Sequence, residues 1–125
     1  MKKFYSTASL VVALSLFSPM LFAHAEHGQA QYGGVVAEAG EAQFELVAKD
    51  GKFIVFLSNH GQPLASKGAS GKLTILDGAK KTELELKAAG ENRLEAAGSA
   101  ASGAKALISV QLVDKKPLQA RAILK

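Results

Sequence analysis

Residues 43–57 read QFELVAKDGKFIVFL. Phe44, Leu46 and Ala48 fall on one side of an extended chain. A hydrophobic period of two belongs to a half-buried β-strand, because successive side chains point to opposite faces. Asp50-Gly51 follows at once. Both residue types tolerate the positive φ of a tight hairpin turn, so the dipeptide predicts a return strand. Phe53 to Leu57 is nearly continuously apolar, as expected of a strand covered on both faces. Two strands and a turn thus set an all-β class.

The same grammar extends in both directions. Val35-Val36 opens a strand upstream. Downstream, Lys72 to Leu76 turns at Asp77-Gly78 into Thr82 to Lys87, where Leu84 and Leu86 alternate with Glu83, Glu85 and Lys87. That alternation excludes a helix over 78–89, since helical residues two apart do not share a face. Gly90-Glu91-Asn92 precedes a short strand from Arg93 to Ala97, and Gly98 to Gly103 is a small-residue linker. Lys105 to Val113 is the longest β-rich run, and Asp114 to Pro117 turns it into Leu118 to Leu124. Asn59 to Pro63 reads as a loop by its Asn, Gly and Pro. Seven to eight strands with turns every ~8–12 residues have the spacing of an all-β sandwich or barrel, and the expectation adopted is a small antiparallel β-sandwich. The expected core is Phe44, Leu46, Ile54, Phe56, Leu73, Ile75, Leu84, Leu86, Leu94, Ile108, Val110, Leu112 and Ile123.

The first 25 residues carry a different signal. Lys2 and Lys3 precede an apolar run from Leu10 to Phe22, and Ala23-His24-Ala25 supplies the small residues of a cleavage site. This is the pattern of a secretory signal peptide over 1–25, with a run too short and broken for a spanning helix. No Cys follows it, which argues against a lipid anchor. The chain is therefore expected in a periplasm, with a mature start at Glu26, a flexible segment over 26–32 and one domain over 33–125. Without Lys2 and Lys3, 13 basic residues face 11 acidic ones, and the formal charge drops from +4 to +2. So weak and scattered a charge excludes nucleic acid as the expected partner. With no Cys there is no disulfide, and packing must hold the domain together.

Candidate chemistry concentrates on histidine. A chain starting Glu26-His27 offers an α-amine, an amide nitrogen and an imidazole, a set that chelates Cu(II) or Ni(II) in a tetragonal plane. Cleavage after Ala23 would instead expose His24 beside Glu26 and His27. His60, in the expected loop, is a second imidazole, and two His with Glu26 would suit Zn(II) or Cu(II). Set against this, histidines near cleavage sites are commonly idle, and a loop His often bonds its own backbone. Gly33-Gly34 marks a tight entry into the sheet, where backbone must approach a neighbour closely. Gly68 to Leu73 resembles the end of a phosphate loop, yet it runs into a strand and is read as a connection. Catalysis is not expected. There is no Cys nucleophile, Ser58 and His60 lack a nucleophile elbow, and the carboxylates alternate with Lys as solvated faces do.

Several segments together resemble a known family. They are His27-Gly28 ahead of Gly33-Gly34-Val35-Val36, Phe44-Glu45-Leu46-Val47, Asp50-Gly51, Asn59 to Pro63, Lys67 to Thr74 and Asn92 to Ala96, spanning about Glu26 to Ala97. This set is similar to small exported β-domain proteins that accompany heavy-metal and cation efflux systems. It is also similar to the N-terminal domain of some efflux adaptor (membrane fusion) subunits. The resemblance implies a periplasmic β-sandwich-like module of metal handling or efflux. Here Gln29 to Tyr32 intervene between His-Gly and Gly-Gly, which displaces the histidine from the strand entry. The expectation is a monomeric accessory protein binding Cu(II) or Zn(II) through His27, His60 and Glu26, with an efflux adaptor or other envelope protein as partner. The alternative is an interaction module of the envelope that binds no metal.

Overall fold

A computed structural model describes residues 29–125. The segment expected to be a signal peptide, with His24, Glu26 and His27, lies outside the described residues. Nine strands form: β1 (Val35–Ala39), β2 (Ala42–Lys49), β3 (Lys52–Asn59), β4 (Gln62–Pro63), β5 (Ser70–Asp77), β6 (Lys80–Ala88), β7 (Arg93–Ala97), β8 (Lys105–Gln111) and β9 (Leu118–Ile123). The all-β class and the strict alternation of β6 are as the sequence implies. Among the described residues there is no helix, and so none long and apolar enough to cross a membrane.

The expected two-layer sandwich is not what the strands build. All nine belong to one antiparallel sheet in the order β1-β2-β3-β7-β6-β5-β8-β9, with β4 paired to β3. The sheet rolls until β1 lies against β9, nearly closing a barrel. Much of the inward face at this seam is small: Ala37 and Ala39 on β1 and Ala120 and Ala122 on β9 are buried, with Val35 and Leu118 packed beside them. Small side chains let the two edges approach.

Two-residue turns set most of the register. Asp50 and Gly51 take φ of 53° and 76° between the paired Lys49 and Lys52. His60 and Gly61 do the same, at 51° and 79°, between the paired Asn59 and Gln62. The stretch 59–63 is therefore a second hairpin rather than an open loop, and His60 occupies its tip. Positive φ at both central positions fits the right-handed strand twist.

The first hairpin also corrects the expected core. Lys49 opposite Lys52 places Phe44 opposite Leu57 and Leu46 opposite Val55. Phe53, Val55 and Leu57 thus point inward and are fully buried, while Ile54 and Phe56 are half-buried on the outer face. Ala48, expected beside Phe44 and Leu46, is exposed near the strand end. On β9, Ala120 and Ala122 face in and Ile123 faces out, 61% exposed. Leu84 is partly buried against the core, and the other nine expected core residues are buried.

A polar clamp fixes the crossover from β4 to β5. Asn92 Nδ2 donates to the Leu57 carbonyl at 3.0 Å, and the Leu57 amide donates to the Asn92 carbonyl at 2.9 Å. Fully buried Ser66 donates from its amide at 2.8 Å and from Oγ at 3.0 Å to the Glu91 carbonyl. Within this clamp the buried side chains of Asn92 and Ser66 are both hydrogen-bonded, as burial favours.

Candidate functional site

The outer face of β2 and β3 is covered by the segment that precedes β1. Glu45 opposes Phe56 across the two strands, and both side chains point outward. Glu45 is only 5% exposed. Its Oε1 accepts from the Gln31 amide at 2.7 Å, and its Oε2 accepts from the amides of Tyr32 and Gly34, each at 2.8 Å. Three backbone donors on one carboxylate replace the water it lost. The Tyr32 ring stacks on Phe56 with centroids 3.7 Å apart and planes 7° from parallel. Gly34 completes the fit: a Cβ there would lie 2.3 Å from the Leu46 carbonyl oxygen and 2.7 Å from Val47 Cγ2. The close approach expected at Gly33-Gly34 is real and falls on Gly34.

The course of this segment matters for the histidines. Gln29, Gln31 and Tyr32 line a cavity of about 30 Å³ together with Gly61 and Pro63, the residues that follow His60. Glu45, Phe56 and Asn92 close its floor. The chain immediately after the expected metal-binding residues is thus held against the His60 hairpin. His60 itself is exposed at the turn tip and is not without an interaction partner. Glu26 and His27 lie outside the described residues, so their meeting with His60 is not seen. Among the described residues no three His, Cys, Asp or Glu side chains gather into a metal-holding group. Residues 31 and 32, expected to be loose, are fastened. Glu45, Tyr32 and Asn92 are the site residues that sequence reasoning missed. A glutamate centred in an otherwise apolar strand, FELV, with Gly-Gly upstream, was the available signal.

A second feature lies on the outer face of β5, β8, β9 and β1. It is an open groove of about 870 Å³ whose floor includes Val36, Leu76, Leu107 and Ile123. Leu76 and Ile123 are 42% and 61% exposed. Lys81, Lys105 and Arg121 edge it. Lys81 is engaged by Glu83 at 3.4 Å, and Lys72 lies 3.6 Å from the same carboxylate. The hydrogen bond from Lys81, then the charges of Lys72 and Lys81, hold the Glu83 carboxyl below its ordinary value. Among the described residues neither Lys105 nor Arg121 has an acidic partner.

Comparison with protein families, with characterised proteins and with solved structures gives no match to this chain.

Proposed function

We propose that this chain is a periplasmic accessory protein of metal homeostasis or efflux that holds one divalent ion, Cu(II) or Zn(II), between its N-terminal segment and the β3–β4 hairpin. His27 and His60 supply the imidazoles, and Glu26 or a free α-amine supports them. The observation that carries this reading is the Glu45 latch, which holds Gln31 to Gly34 on the sheet and puts Gln29 in one cavity with Gly61. His27 precedes Gln29 by two residues, a span of at most ~7 Å. The donor set of nitrogen and oxygen without sulfur suits Cu(II) or Zn(II). The reading is non-catalytic: the buried carboxylate, Glu45, is occupied by backbone amides, and Glu83 and Glu85 are exposed on β6.

Isothermal titration of the mature protein, its N-terminus verified, against Cu(II), Zn(II) and Ni(II) tests this. One ion should bind with micromolar or better affinity, and binding should vanish in the His27→Ala, His60→Ala double variant. Unchanged affinity in that variant would refute the site. A second reading, a non-metal interaction module docking on an efflux adaptor or other envelope protein, is favoured by the cation-edged groove. Partner capture that survives chelator would support it.

A further inference from the structure

The two ends of the sheet order meet at the groove. β1 pairs only with β2 and β9 only with β8, so each keeps one edge outside any strand ladder, and these edges face each other across the seam. Val36 on one side and Ile123 on the other are part of the groove that runs over this seam. Natural sheets usually shield such edges with charge, bulges or closure. Here β1 lying against β9 supplies the closure, and the outer face over the seam carries exposed apolar side chains.

Charge narrows the choice of occupant. The register of β8 and β9 sets Leu107 opposite Arg121 and Lys105 opposite Ile123, so each of these two apolar side chains has a cation beside it. Neither cation is neutralised by an acid among the described residues. A second copy of this chain would bring the same two cations to the contact and repel. An occupant with apolar and acidic side chains would satisfy both features.

We propose that this groove binds an extended polypeptide segment of a partner protein, one in which apolar and acidic residues alternate. Its apolar side chains lie over Leu76, Leu107 and Ile123, and its carboxylates pair with Lys105 and Arg121. Alternation is required because an extended segment shows the groove one face while its other residues reach the rim. This gives a partner chemistry to the interaction reading, on which it rests, and uses no residue of the His60 cavity. It stands or falls separately from metal binding.

The test is fluorescence anisotropy with a dye-labelled decapeptide alternating Val and Glu, a Val-Lys counterpart, and vesicles containing anionic phosphatidylglycerol. The Val-Glu peptide should bind saturably with Kd on the order of 100 μM or tighter. Lys105→Glu with Arg121→Glu should weaken it at least about tenfold, and Ile123→Asp should do the same. These side chains are exposed, so the variants should fold; Lys105→Gln with Arg121→Gln replaces the first pair if circular dichroism shows otherwise. No saturable binding, equal binding of the Val-Lys peptide, or indifference to the substitutions would overturn the proposal. Vesicle binding lost in the same variants, without peptide binding, would overturn it in favour of a lipid surface.

Discussion

Glu45 is the one charged side chain buried among the described residues, and its role follows from its three donors. Truncating it would leave amide groups of the N-terminal segment without a partner in a partly dry site. Glu45→Ala should therefore lower unfolding free energy by about 2–3 kcal/mol in urea titration and open residues 29–34 to proteolysis. Wild-type protection of that segment in the variant would contradict the latch. Gly34→Ala should cost about 2 kcal/mol or more, because its methyl would enter the Leu46 carbonyl. Glu83 behaves differently, being exposed on β6. Its lowered pKa adds stability that is present above its unfolded value and lost as pH falls through the folded one. Salt should shrink that contribution, since water screens the pair.

At the scale of strands and turns, the reading of β3 shows both what was legible and what was not. Asp50-Gly51 announces the hairpin, and the structure forms it there. Phe53 to Leu57 is apolar at every position, so periodicity alone cannot say which side faces in. The two-residue turn decides it, because pairing Lys49 with Lys52 carries Phe44 and Leu46 onto the side of Leu57 and Val55. Phe53→Ala should accordingly cost about 3–5 kcal/mol, and Ile54→Ala clearly less. Equal losses by chemical denaturation would contradict this register. On β9 the polar Gln119 and Arg121 mark the outer side and take Ile123 with them. The hairpin at His60 was hidden because His-Gly is not among the dipeptides that signal a two-residue hairpin, as Asn-Gly and Asp-Gly do, so its turn reads as loop.

Across the whole molecule, alternating strands with regular turns describe a sandwich and a barrel equally well. What separates them is which strands neighbour each other, and β3 beside β7 is a pairing far apart in sequence that local pattern does not encode. Alanines at the seam were the quiet sign of closure. Ala122→Leu should push β9 from β1 and cost about 1–3 kcal/mol, whereas Ile123→Ser should stay within about 0.5 kcal/mol. The same rolled sheet brings the N-terminal segment over β2 and β3 to the His60 hairpin, and that juxtaposition is the centre of the functional account. The most direct test is to follow Zn(II) addition to the 15N-labelled protein beginning at Glu26 by NMR. The account predicts that the His60 imidazole signals and the Gln29 to Tyr32 amides shift together and saturate at one ion. Shifts confined to the N-terminal residues, with His60 unmoved, would contradict it and reduce the site to a chelate of the chain terminus alone.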